Sequence, residues 1–151
     1  MKYLFYTFIA GSIIIACNNN KSEEKSAGQT ITEVDNPTME CFVGNSGKDS
    51  IIVNMATDAD KVTGTLSYKF FEKDSNHGTF DGSLHGDTIL AIYSFASEGI
   101  PSEREVAFLR KENGLVEGYG DVEEKEGKMK FKSPANLSFG KGFILEKVQC
   151  Q

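Results

Sequence analysis

From residue 39 onward apolar and polar side chains alternate one by one. Val62, Leu66, Tyr68 and Phe70 share a face with Gly64, while Thr63, Thr65, Ser67 and Lys69 take the other. Phe80, Gly82 and Leu84 alternate in the same way with Thr79, Asp81, Ser83 and His85, and Ile51, Val53 and Met55 form a shorter stripe. A two-residue period sets one side of an extended chain against a core and the other in water, so these segments read as strands. Clusters of Gly, Asp, Asn and Lys, which favour turns, separate them. The pattern predicts eight or nine strands, near 39–43, 50–56, 61–72, 78–85, 88–96, 103–111, 115–123, 128–133 and 141–149. No window carries a capped amphipathic helix of useful length, and the fold class is all-β.

Two turns predict registers. Gly86-Asp87 has glycine first, where a type II′ hairpin needs φ > 0. With His85 opposite Thr88, Leu84 faces Ile89, Gly82 faces Ala91 and Phe80 faces Tyr93, all on one side of the sheet. Asn113-Gly114 carries the type I′ signal. Pairing Glu112 with Leu115 sets Phe108 against Tyr119 and Arg110 against Glu117, an aromatic and an opposite-charge pair of about 0.2–1 kcal/mol each. Short hairpins in succession favour an antiparallel up-and-down meander. Closure into a small barrel removes the exposed edges that promote aggregation; a two-sheet β-sandwich is the alternative.

Composition narrows the class. The 151 residues, 39% hydrophobic and 25% charged, suit one ordinary domain. Lys+Arg 16 against Asp+Glu 22, a net charge of -6, leaves no basic footprint for nucleic acid.

The first residues read as an address. Lys2 precedes an apolar run over 3–16, shorter than the roughly 20 residues a spanning helix needs. The run ends in Ile14-Ile15-Ala16-Cys17, which resembles the lipobox of bacterial lipoproteins. That resemblance implies a signal peptide over 1–16 and lipidation of Cys17; a simple secretory signal ending near a cysteine is the alternative. The polar stretch that follows cannot bury enough surface to offset its ordering entropy, so 17–37 reads as a flexible lipidated tether and 38–151 as the barrel domain. Asn18, not an aspartate, follows the cysteine, which favours the outer membrane. Ser22-Glu23-Glu24 is faintly similar to the acidic export tag of surface lipoproteins in Bacteroidota, and periplasmic-facing and surface-exposed placements both stay open.

The strand–turn repetition resembles lipocalin-like, or calycin-like, small barrels, although the chain has no Trp and so no lipocalin Gly-x-Trp signature. The chain is also similar to uncharacterised Bacteroidota lipoproteins carrying Gly86-Asp87, Ser97-Glu98-Gly99, Ser102 with Arg104-Glu105, and Glu117-Gly118-Tyr119-Gly120. The resemblance covers Cys41 to Cys150 and implies a fold and an address, with no established activity.

With Cys17 lipidated, Cys41 and Cys150 remain, one at each end of the domain. An exported chain with an even pair is expected to bond them, tying first strand to last. A reactive thiol, the alternative, needs an electropositive setting, and Cys41 has Glu40 beside it.

Strand parity gathers the loops near 44–49, 73–78, 97–103 and 123–127 at one end. The turns near 57–60, 86–87 and 113–114, and the 133–140 connection, fall at the other. The first end collects His77, Ser97, Glu98, Ser102, Glu103 and Arg104, with Glu123 and Glu124 nearby. A Ser–His–Glu triad is weakly signalled there: no strained Gly-x-Ser-x-Gly elbow is present, and His77 sits in a turn-forming run. Zinc ligands must converge at about 2.0–2.3 Å, which His77 and His85 at opposite strand ends do not. The Asp58-Ala59-Asp60 and Lys73-Asp74-Ser75-Asn76 turns lack the full calcium-loop pattern. No catalytic residue, metal or cofactor is assigned.

Arg104 shares parity with Val106 and Phe108 and so points inward. A buried guanidinium needs a partner, with Glu98 or Asp121 as candidates. It then either plugs the barrel end as an ion pair over an aromatic core, or anchors an anionic head group above a lining of Phe70, Phe80, Tyr93, Phe95, Phe108 and Tyr119, with Ser97, Glu98 and Ser102 at the rim. The expected function is a non-enzymatic outer-membrane lipoprotein binding a small, partly apolar ligand in or at the mouth of its barrel. The alternative is a structural or interaction lipoprotein whose solid barrel docks a protein partner at the cell envelope.

Overall fold

In the computed structural model residues 36–73 and 75–151 are described. The leader, Cys17 and nearly all of the expected tether lie outside them. Ten strands follow in order: β1 (Thr38–Ser46), β2 (Asp49–Asp58), β3 (Lys61–Lys69), β4 (Asn76–His85), β5 (Thr88–Ser97), β6 (Ile100–Lys111), β7 (Gly114–Gly118), β8 (Val122–Lys125), β9 (Lys128–Phe131) and β10 (Ile144–Val148). The one helical element among the described residues is a 3-10 turn, Pro134–Asn136.

Strands β1 to β7 pair antiparallel in chain order, β10 inserts between β7 and β1, and the ring closes. Eight strands thus form the closed antiparallel barrel. β8 and β9 stand outside the ring as a hairpin. It meets β6 in parallel where Met129 lies opposite Arg104.

The β4–β5 register is the expected one: His85 faces Thr88, Gly82 faces Ala91 and Phe80 faces Tyr93. Gly86 has φ 60 and Asp87 is not left-handed, as a type II′ turn requires. The β6–β7 register is not. Lys111 pairs with Gly114, Arg110 with Leu115 and Phe108 with Glu117, two residues from the predicted pairing. Asn113 and Gly114 do not take positive φ, so no type I′ turn forms there. Gly114 serves instead for close approach: a Cβ on it would lie 2.2 Å from the Leu145 carbonyl oxygen of β10. Pairing with β10 draws Gly114 into the strand and moves the turn back to 112–113. A two-residue shift preserves side-chain parity, so the faces survive while the partners change. The expected strand over 115–123 also breaks, at 119–121.

Each barrel strand sends a side chain into the core: Phe42, Val53, Leu66, Phe80, Ile89, Phe108, Leu115 and Leu145. Burying one such side chain contributes about 1.5–3 kcal/mol. One end of this core is shut by charge. Glu40 on β1, buried, accepts hydrogen bonds from Arg110 of β6 and from Lys147 of β10, the latter at 2.7 Å. All three lie on the inward faces of their strands, across from Met55, Leu115 and Phe42. Beside them the Cys41 and Cys150 sulfurs stand 2.10 Å apart, a disulfide pair spanning 109 positions.

Candidate functional site

The opposite end is built differently because β6 is much longer than β7. β7 leaves the wall at Gly118, while β6 extends to Ile100. The half of β6 that β7 does not reach is flanked instead by the β8–β9 hairpin. Three local contacts hold it. The Phe131 N–H donates to Glu105 Oε2 at 2.7 Å, Lys128 pairs with Glu103 at 2.8 Å, and Met129 bridges to Arg104. Glu103 also accepts from Ser94 Oγ at 2.8 Å, and these bonds, Lys128's foremost, hold its carboxyl below the usual range.

A cavity of about 440 Å³ occupies the gap between barrel and hairpin. Tyr68 and Phe70 form one side, and Arg104, Glu105 and Val106 of β6 a second. Glu117, Gly118 and Tyr119 continue the wall from β7, and Val122, Met129 and Phe131 cover it from the hairpin.

Charge is distributed unusually over this wall. Glu117 is only 5% exposed, opposite Phe108 in the core. Its Oε1 accepts from the Tyr68 hydroxyl at 2.6 Å and its Oε2 from the Tyr119 hydroxyl at 2.5 Å. Two hydroxyl donors replace the water that a buried carboxylate loses. Burial first, then the neighbouring Glu117, pushes both tyrosine hydroxyls well above their ordinary range. Arg104 lies over aromatic rings, its guanidinium carbon 4.8 Å from the centroid of Tyr68, 5.6 Å from Phe95 and 5.7 Å from Tyr93. Among the described residues no carboxylate stands within ion-pair distance of Arg104, and its buried Nε has no acceptor. The Tyr93 hydroxyl, on the residue directly across from Arg104, is likewise buried without a partner. Burial pushes it up to about 12, against the opposing pull of Arg104.

Of the lining expected from sequence, Phe70, Arg104 and Tyr119 belong to the cavity wall. Tyr93 and Phe95 stack at 4.7 Å and support Arg104 from behind. Phe80 and Phe108 are packed core and do not reach the cavity. Ser97, Glu98 and Ser102 do not line it either. The expected 97–103 loop is a two-residue turn with Glu98 at φ 51 and Gly99 at φ 80, so Ser102 and Arg104 sit on β6 itself. Neither Glu98 nor Asp121 pairs with Arg104; the ion-pair plug exists, but with Arg110 and Glu40 at the other end. The 133–140 connection also changes ends. Ser138 exchanges backbone hydrogen bonds with Tyr119, and Phe139 packs where a Cβ on Gly118 would be. The hairpin outside the meander upsets the parity count that placed it.

His77 is in β4, not in a turn, and shares a 2.6 Å hydrogen bond with Ser67 on the exposed face; His85 does the same with Ser83 at 2.9 Å. Both lie away from the cavity wall. Among the described residues no three His, Cys, Asp or Glu side chains converge as a metal site. Sequence reasoning missed Tyr68, Glu117 and the hairpin residues as parts of the site. A signal for Glu117 existed: it shares parity with Leu115 and Tyr119, and so is a carboxylate on an inward stripe. The predicted pairing with Arg110 absorbed it.

No protein-family model, curated protein or solved structure matches this chain. Geometry alone therefore carries the functional argument. The cavity presents a guanidinium, a carboxylate with two tyrosine hydroxyls, and apolar surface.

Proposed function

We propose that this protein is an envelope lipoprotein, lipidated at Cys17 and tethered to the outer membrane, whose barrel mouth binds a small, partly apolar ligand without chemical conversion. The lipobox-like Ile14-Ile15-Ala16-Cys17 supports the anchor. The Cys41–Cys150 pair suits an oxidising compartment. One observation carries the binding reading: Arg104 faces a cavity of about 440 Å³ with its Nε unpartnered and no ion pair among the described residues. A half-buried cation left open beside Phe70, Met129 and Phe131 is suited to a polar head with an apolar body. Small-molecule sites combine these features, a mostly apolar concavity with a few placed polar groups, at about 300–1,000 Å³.

Native mass spectrometry on the protein as its host exports it tests this. The expected result is an added small-molecule mass that is lost on denaturation and absent from Arg104→Met, together with acyl-glyceryl mass on Cys17. A bare mass in every preparation would reject the carrier. It would favour the second reading, a protein partner docking at the mouth, which draws support from exposed Phe71, Ile100, Val122 and Met129 at that end.

A further inference from the structure

We propose that the mouth cavity takes a small zwitterion with an apolar tail, the chemistry of an apolar α-amino acid; this rests on the binding reading above and narrows its ligand class. Two anchors of opposite sign share one wall. Arg104 and Glu117 both line the cavity, and no ion pair joins them. Tyr68 spans the two, its ring 4.8 Å from the Arg104 guanidinium carbon and its hydroxyl 2.6 Å from Glu117. Both anchors are therefore within reach of a single small molecule.

Each anchor has unused capacity of a definite kind. Arg104 Nε and the Tyr93 hydroxyl are two buried donors without acceptors, one across the β5–β6 pair from the other. A ligand carboxylate accepts from the guanidinium, which lines the cavity, whereas Tyr93 lies behind it and outside the lining. Glu117 takes one tyrosine hydroxyl on each oxygen. A carboxylate has about four lone-pair sites, which leaves room for N–H donors. An ammonium satisfies them and also lies favourably against the tyrosine rings. A simple anion would bring its charge toward Glu117, and a simple cation would bring its charge toward Arg104. Each therefore meets a repulsion that a zwitterion avoids. Phe70, Val122, Met129 and Phe131 provide the apolar remainder of the wall. The closed end shows the contrast, since there Arg110 and Lys147 both pair with Glu40 and neither cation is without a carboxylate.

The chain contains no tryptophan, so an indole ligand reports its own environment. The full-length protein in phosphatidylcholine nanodiscs, with empty nanodiscs as blank, would be titrated against tryptophan, N-acetyltryptophan, tryptamine and 3-methylindole. Excitation where tyrosine does not absorb isolates the indole. Tryptophan is expected to bind tightest, with loss of either charge weakening binding about tenfold or more, as a charge-assisted hydrogen bond implies. Glu117→Gln should erase the advantage over N-acetyltryptophan, and Arg104→Met the advantage over tryptamine. Equal binding of tryptophan and N-acetyltryptophan by the wild-type protein would overturn the zwitterion assignment and leave the carrier reading standing. A ranking unchanged in both variants would also overturn it. Should a variant fail to fold, the four-ligand series on the wild-type chain decides alone. Failure of every indole, the neutral one included, to bind would overturn the carrier reading as well.

Discussion

At one end of the barrel Glu40 accepts from Arg110 and Lys147, and the Cys41–Cys150 pair ties the first strand to the last. At the other, β7 stops short, a hairpin outside the ring flanks β6, and Arg104 and Glu117 face one cavity without an ion pair between them. The two ends draw on the same residue types, Arg, Glu and neighbouring aromatics, to opposite effect. A charge whose partner comes from the chain closes the core. A charge whose partners are rings and hydroxyls is left without an ion pair. Burial alone does not separate them, since Glu40 and Glu117 are 8% and 5% exposed. The completeness of pairing does.

The largest effect is expected from the closed end. Reducing the Cys41–Cys150 pair should cost up to about 4–5 kcal/mol in the chain-entropy account of a loop near 100 residues. A urea titration with and without reductant reads this; coincident curves would show that β1–β10 pairing alone orders that end. Next comes Glu40→Ala, which leaves Arg110 and Lys147 without their shared carboxylate and should cost about 3 kcal/mol. Arg104→Met should change stability by about 1 kcal/mol or less, because it removes a cation that no carboxylate balances and keeps the apolar stem over the rings. Equal losses in the two variants would erase the distinction between plugged and open ends.

Most of the barrel was legible because two-residue alternation reports which face is buried, and β2 to β6 follow it closely. The Gly86-Asp87 register was legible because a type II′ turn has a strict local requirement. Asn113-Gly114 misled because the same glycine answers two demands, positive φ in a turn or close approach in a strand, and β10 decided for the second. Nothing local to Gly114 encodes that a strand thirty-odd residues later in the sequence (about one hairpin and one long loop away) will lie beside it. The site suffered for the same reason. Arg104, Phe70 and Tyr119 could be named from parity, but the cavity depends on where β7 ends and where β8–β9 folds back, and both are tertiary choices.

The two buried tyrosines offer the finest test. The Tyr68 hydroxyl donates to Glu117, whereas the Tyr93 hydroxyl has no partner. Tyr68→Phe takes one of two donors from a buried carboxylate and should cost about 1–3 kcal/mol. Tyr93→Phe removes a hydroxyl that makes no hydrogen bond within the chain, so the unliganded protein should stay within about 1 kcal/mol of wild type. Alkaline pH sharpens the contrast. Burial raises Tyr93 from 10.0 to about 12, so the folded state holds its proton after the unfolded chain has lost it. The stability this contributes is fully present below pH 10.0 and is lost as pH rises toward about 12. Melting midpoints followed across that window should therefore fall less steeply in Tyr93→Phe than in wild type. An identical slope would mean that the hydroxyl ionises freely in the folded protein and is not the dry, unpartnered donor beside Arg104.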